Sequence, residues 1–215
     1  MKQLKRSPKI IGVSTRVVEN NDYKEARDCL GHDWVKLLEA SGYQFILIPN
    51  NLRDPLGYLS NFNFSGFILT GGDDVLTAKK SFLKRNKTEE KIMRYAIKNN
   101  LPLLGVCRGM QFINLYFKGK IADVADHVRV LHRIKIGDNT FVKALKTSSL
   151  DVNSYHEKGI TDQTIGKNLK PWARAGETIE GLYHQKLKIA GIMWHPERNK
   201  KISKTDMRLF EHLFK

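Results

Sequence analysis

Cysteine is nearly missing from this chain: two occur in 215 residues, Cys29 and Cys107. Two thiols make no disulfide framework, so a packed core must hold the fold, and a reducing compartment suits it. No apolar run approaches the roughly eighteen residues of a membrane span. Met1-Lys2-Gln3-Leu4-Lys5-Arg6 lacks the apolar stretch of a signal peptide. A cytoplasmic protein that touches no membrane is expected. Acidic residues are also scarce: 22 Asp and Glu face 37 Lys and Arg, a net charge of +15. The lysines are spread along the chain, with clusters at residues 2–9, 79–91 and 198–204, and no basic stripe is interleaved with aromatics. That excess reads as a solvated surface able to attract a small anionic substrate, and it argues against nucleic acid as a partner. Zinc spacings such as H-E-x-x-H and C-x-x-C are missing. His32, His127, His132, His184 and His212 follow no ligand pattern, so no metal site is expected.

What is present describes a globular protein, 41% hydrophobic and 27% charged, of a length suited to one α/β domain over residues 1–215, with residues 1–8 a loose basic tail. Residues 9–14, 45–49 and 66–70 read as buried strands. Between the first two, Tyr23, Ala26, Leu30, Trp34, Leu37 and Leu38 recur at helical spacing, which predicts a helix stopped by Gly42. Cys29 would be a packed residue on it. Glu89, Ile92, Tyr95, Ala96 and Ile97 predict another helix, leading back to the apolar run at 101–104. Such alternation implies parallel strands with right-handed crossovers. After Gly119 the pattern shortens, and residues 129–136 and 173–176 suggest an antiparallel extension. Ser203 or Thr205 can cap a last helix carrying Met207, Leu209, Phe210 and Leu213. The expected fold is a three-layer α/β sandwich, its central, mostly parallel sheet flanked by helices and carrying a small antiparallel extension.

The chemistry concentrates in two segments. Gly105-Val106-Cys107-Arg108-Gly109 follows the apolar run and precedes a helical pattern from Met110 to Tyr116. A strand that turns into a helix within one residue forces the apex side chain outward. Small neighbours two positions away let the backbones pass, and the helix N-terminus favours thiolate over thiol. An isolated G-x-C-x-G reads equally well as a buried cysteine between packing glycines. The second segment tips the balance. The apolar residues 189–194 end in His195-Pro196-Glu197, which can supply a base for the thiol and a carboxylate to orient that base. Both segments would emerge at the carboxyl edge of a parallel sheet.

These residues, with Leu69-Thr70-Gly71-Gly72-Asp73-Asp74 and Val152-Asn153-Ser154-Tyr155-His156 in the same order, resemble the class I glutamine amidotransferase superfamily, and within it the γ-glutamyl hydrolase (peptidase C26) branch. The resemblance spans residues 9 to 198. It implies a flavodoxin-like fold and a cofactor-free hydrolase that cleaves a γ-glutamyl amide bond through a thioester on Cys107, with His195 and Glu197 completing a triad. The backbone N–H groups of Gly72 and Arg108 would form the oxyanion hole, Gly71 being the alternative donor. Gln111 and the backbone near Ser154 and Tyr155 would hold the γ-glutamyl group, with His156 beside them. Arg16, Tyr23 and Arg27, predicted at a helix N-terminus on the same edge, are types suited to phosphate and a base. That stretch resembles branch members that release cytidine diphosphoramidate for capsule synthesis, so the substrate partner would be a nucleotide-linked γ-glutamyl small molecule. Gly71-Gly72-Asp73-Asp74-Val75 lacks the Asn-Pro continuation of the γ-aminobutyrate-type members, and Phe117-Lys118-Gly119-Lys120 departs from their paired glycines and leucine. A glutaminase component feeding ammonia to a synthetase is the enzymatic alternative, and a non-catalytic anion or nucleic-acid binder on the same scaffold is the other. The resemblance leaves room for a homodimer.

Overall fold

The computed structural model describes residues 9–20, 22, 24–76 and 78–215. Along them the strands are β1 (Ile10–Ser14), β2 (Arg16–Asn20), β3 (Glu25–Cys29), β4 (Gln44–Ile48), β5 (Phe64–Leu69), β6 (Leu103–Val106), β7 (Ala122–Asp123), β8 (Val128–Ile136), β9 (Ser149–Tyr155), β10 (Lys158–Gly159), β11 (Leu169–Ala175), β12 (Thr178–His184) and β13 (Ile189–Ile192). The helices are α1 (His32–Ala40), α2 (Pro55–Ser60), α3 (Lys80–Lys98), α4 (Arg108–Tyr116), α5 (Asn139–Leu145) and α6 (Lys204–Phe214), with a 3-10 turn at Pro196–Arg198.

One sheet organises the molecule, in the order β4-β1-β5-β6-β13-β12-β11-β8-β9. The first five strands are mutually parallel, and β12, β11, β8 and β9 continue the sheet antiparallel. Every residue of β6 and β13 is buried, as continuous apolar runs covered on both faces require, whereas β8 is largely exposed at the far side. Alternate residues feed two cores. Ile68, Leu104 and Val106 pack with Trp34, Leu37 and Leu38 of α1 and Leu209, Phe210 and Phe214 of α6. Phe67, Leu69 and Leu103 pack with Leu59 of α2, Ile92, Met93 and Ala96 of α3, and Met110 and Ile113 of α4. Burial of each large side chain contributes roughly 1.5–3 kcal/mol before the ordering entropy is subtracted. Helix, sheet and helix are the three expected layers. Ser203, not Thr205, caps α6: its Oγ accepts from the Thr205 and Asp206 N–H groups at 3.1 and 3.3 Å.

The predicted helix from Tyr23 to Leu38 is corrected. Of the described residues there, only those of α1 are helical; β2 and β3 pair antiparallel, separate from the main sheet, with Arg16 opposite Cys29 and Asn20 opposite Glu25. The helical period of Ala26, Leu30 and Trp34 was a coincidence across Gly31, which stands at the α1 N-cap in extended backbone. Strand alternation decides the hairpin instead: Val17 is buried, and its cross-strand partner Asp28 accepts from the Asn50 N–H at 2.9 Å. Cys29 therefore sits half-buried on β3, not inside a helix.

The turn after β6 depends on close backbone approach. A β-carbon on Gly109 would lie 2.1 Å from the Leu69 carbonyl oxygen, and one on Gly105 would lie 2.5 Å from the Gly109 carbonyl carbon. Backbone cannot yield as a side chain does. Gly109→Ala is therefore expected to lower stability by about 1–3 kcal/mol or more in chemical denaturation. Gly31→Ala, where no atom lies within 4 Å, should be close to neutral.

Candidate active site

Cys107 is the hinge between β6 and α4, held at φ 51° and ψ −106°. A non-glycine residue in such backbone costs about 1–3 kcal/mol and persists only where its surroundings over-determine it. Here they do. The Cys107 N–H donates to Ile192 O at 2.7 Å, and the Cys107 carbonyl accepts the Gln111 N–H at 3.0 Å as the opening bond of α4. The two glycines let α4 settle on β5 and β6. The side chain is thereby turned into a cleft of about 360 Å³ lined by Gly72, Asp73, Asp74, Arg108, Gln111, Tyr155, His156, Glu157, Lys158, His195 and Arg198.

His195 reaches the same cleft from β13. Its Nδ1 lies 2.7 Å from Glu197 Oε1, a contact made by the 3-10 turn that Pro196 begins. With Nδ1 engaged by the carboxylate, Nε2 is the nitrogen left for the sulfur. Burial alone would push the imidazole pKa down. Hydrogen bonds to Cys107 and Glu197 outweigh it and raise the pKa to about 9. A β-carbon on Gly71 would sit 2.7 Å from His195 Cε1 and 3.6 Å from Cys107 Cβ, so the Gly71 backbone closes directly on both. The structure thus brings Cys107, His195 and Glu197 together.

Two sets of supporting residues were not foreseen. Asn153 on β9 accepts the His195 N–H at 2.9 Å and donates to the His195 carbonyl at 2.8 Å, clamping the histidine backbone across the sheet. Beneath the glycine loop lies a buried ionic network. Arg85 donates to Glu89 at 2.9 Å, Asp73 at 2.8 Å, Gly71 O at 3.1 Å and Thr70 O at 2.7 Å. Glu89 also accepts from Ser14 Oγ at 2.9 Å and from Arg108. Burial would raise the Glu89 pKa, but Arg108 and Arg85 hold it below the usual carboxylate range. The i,i+4 spacing of Arg85 and Glu89 was visible in sequence, yet on an exposed helix face it would have meant only a surface ion pair.

The remaining site residues divide. Arg108 opens α4, so its N–H has no acceptor within the helix, and Gly72, at φ 88°, faces the same cleft. Gln111 lines the cleft with its amide donating to Lys158 O at 2.8 Å. Tyr155 stands edge-on to the His195 ring at 5.8 Å and lies under the Arg198 guanidinium at 4.6 Å. Ser154 is fully buried and its hydroxyl donates to His127 O at 2.7 Å, so the strand's alternation turns it away from the cleft. Arg16 is on the hairpin, not a helix N-terminus. It approaches Gly72 and Asp73 beside a smaller hollow behind His195. Arg27 is exposed and paired with Glu25 at 2.7 Å, away from the cleft. Tyr23 lies outside the described residues. Away from the sequence-predicted positions, His127, His156 and Glu180 gather their side-chain nitrogen and oxygen atoms within 4.8 Å of one another. They come from three separate strand regions, which no sequence spacing records.

The sequence profile of the Peptidase C26 family matches residues 9–197. The chain belongs to this family. It is 32% identical over 196 residues to the γ-glutamyl-CDP-amidate hydrolase of Campylobacter jejuni subsp. jejuni serotype O:2, covering 87% of this chain and 90% of that protein. It is also 32% identical over 166 residues to a glutamine-hydrolysing GMP synthase component from Pyrococcus abyssi, covering 75% and 80% of the two chains. A glutamine amidotransferase structure from Thermotoga maritima superposes with a TM-score of 0.65 at 14% identity, over 96% of this chain and 83% of that one. This C26 chain is therefore of the γ-glutamyl hydrolase or glutamine amidotransferase type. Among the described residues, no helix is long and apolar enough to cross a membrane.

Two outcomes follow from the site. In NMR titrations His195 should titrate near 9, and both Cys107→Ala and Glu197→Gln should lower that value; an unmoved midpoint in both would contradict the assigned contacts. The imidazolium's stabilising contribution is fully present below its unfolded value near 6.5 and is lost as pH rises through about 9. Arg85→Met takes the buried cation from Asp73 and leaves Glu89 with Arg108 alone, and a loss of about 3–5 kcal/mol is expected in urea unfolding.

Proposed function

We propose that the chain is a cysteine hydrolase that cleaves a γ-glutamyl amide or phosphoramidate bond and releases glutamate. The reading is carried by the strained Cys107 beside the buried His195–Glu197 pair in one cleft. An imidazole whose pKa is raised to about 9 is a base strong enough to take the proton of a thiol beside it. The thiolate attacks the γ-carbonyl carbon, and the carbonyl oxygen becomes an oxyanion facing the Gly72 and Arg108 N–H groups. Each such donor is worth roughly a hundredfold to a thousandfold in rate. As the intermediate collapses, the C–N bond breaks and His195 gives its proton to the leaving nitrogen. Neutral His195 then takes a proton from water, the hydroxide displaces sulfur from the thioester, and the thiolate returns. Glu197 keeps the ring oriented throughout. No step requires a cofactor, and a free thiol favours a reducing compartment such as the cytoplasm.

For the leaving group we favour a nucleotide-linked nitrogen, as in γ-glutamyl-CDP-amidate, which would connect the chain to capsule phosphoramidate synthesis. The similarity to the Campylobacter enzyme over nearly its whole length supports this. Arg16, half-exposed next to Gly72, can meet a phosphate there. The relation to a GMP synthase component favours a second reading, glutamine hydrolysis for a partner synthetase. Glutamate release from γ-glutamyl-CDP-amidate, γ-glutamyl-γ-aminobutyrate and glutamine, measured side by side, separates these readings: the first should turn over fastest, and Cys107→Ala should abolish release from all three. Near wild-type turnover in Cys107→Ala would discard the mechanism. Fastest turnover of glutamine, and only with a synthetase present, would establish the second reading.

A further inference from the structure

Glu180 lies in the middle of β12 with no exposed surface, and among the described residues neither of its carboxylate oxygens makes a hydrogen bond. A buried carboxylate left in that condition is costly, so its surroundings should reveal what compensates it. Three imidazoles face it. His127 Nδ1 lies 3.4 Å and His156 Nε2 3.5 Å from Oε1, while His132 Nε2 lies 3.7 Å from Oε2. Neither ring nitrogen of His156, nor His132 Nε2, has a hydrogen-bond partner among the described residues. His127 Nδ1 has only a long 3.5 Å approach from Ser154 Oγ besides the carboxylate. These separations exceed the ~2.7–3.2 Å of a nitrogen–oxygen hydrogen bond. The two separations from Oε1 match instead the spacing of ligands around a shared ion, within a set whose ligand atoms all lie inside 4.8 Å of one another. With metal–nitrogen and metal–oxygen bonds of about 2.0–2.2 Å at tetrahedral angles, neighbouring ligand atoms stand roughly 3.3–3.6 Å apart.

We propose that His127, His156 and Glu180 form a binding site for a divalent transition-metal ion, zinc by preference. Two imidazole nitrogens and a carboxylate oxygen are a zinc-type donor set, ill suited to magnesium or calcium, which take oxygen ligands. The site is built before any ion arrives. His127 O accepts both the His156 N–H at 3.0 Å and the Ser154 hydroxyl at 2.7 Å, which fixes the two imidazoles side by side. His132 stands on the second carboxylate oxygen, where an outer partner orients a ligating carboxylate. The ion would tie β8, β9 and β12 together behind His156, a wall of the Cys107 cleft. The site does not depend on the reading of that cleft's chemistry.

The test is zinc binding by the full chain in a Cys107→Ala background, which removes the thiol as a competing ligand. After chelator stripping, titration with zinc chloride against a chromophoric indicator should find about one ion per chain. His132→Ala should weaken binding about 10–100-fold and Glu180→Gln should weaken it further. Cobalt(II) in the otherwise unaltered chain should show tetrahedral visible bands without a thiolate charge-transfer band. The absence of stoichiometric zinc in the Cys107→Ala chain would overturn the proposal, as would affinity unchanged by both substitutions. Should Glu180→Gln fail to fold, His132→Ala and the cobalt spectrum decide: an unaltered affinity or a thiolate band would each refute the site.

Discussion

A carboxylate shut off from water, Glu89, holds the catalytic edge in register. Two guanidinium groups and the Ser14 hydroxyl converge on it, and from the same cluster Arg85 grips the carbonyls of Thr70 and Gly71 and the Asp73 side chain. Three chain segments far apart in sequence, the end of β1, the loop after β5 and the first residue of α4, are thereby referred to one charge. Desolvating these ions is expensive, and replacing them all with apolar groups need not cost stability. What such a network supplies is direction. The glycine loop and the nucleophile turn can occupy one relative position only, and the proposed oxyanion donors are backbone groups of those two segments.

The nucleophile turn shows the same logic in backbone form. Cys107 occupies a φ that a side chain disfavours, and the strain is held by the Ile192 carbonyl on one side and by glycine-sized clearances on the other. The histidine is fixed independently through Asn153, whose amide satisfies both main-chain polar groups of His195 from across the sheet. The proposed base and nucleophile thus follow directly on the buried strands β13 and β6, and little reorganisation would be left for a chemical step.

The hairpin of β2 and β3 adds a local element to the shared scaffold. It lies outside the main sheet and is anchored by Asp73, which accepts the Val17 N–H at 3.1 Å, and by Asp28, which binds Asn50. Asp73 also serves Arg85, so the hairpin bearing Arg16 is coupled to the ionic cluster under the glycine loop. Arg16, proposed above as a phosphate contact, is therefore mechanically linked to the glycine loop.

The buried strands β1, β5, β6 and β13 were legible as apolar runs, because a strand covered on both faces has no room for polar alternation; β4, read as buried too, is the edge strand, and only Ile48 in it is buried. The elbow was legible for a related reason: glycine spacing around Cys107 records a local steric demand. So was the pairing of His195 with Glu197, two residues apart in one turn. The hairpin was not, since a few apolar residues at spacings of three and four satisfy a helix on paper, while cross-strand partners such as Val17 and Asp28 reveal a sheet only once paired. The direction of the Ser154 side chain was hidden in the same way, because which side of β9 faces the cleft depends on register with β8. The Arg85–Glu89–Arg108 cluster, the Asn153 clamp and the convergence of three histidines on Glu180 were decided by tertiary structure alone. Local backbone and burial preferences are written in neighbouring residues, whereas long-range polar contacts arise where strands distant in sequence are laid side by side.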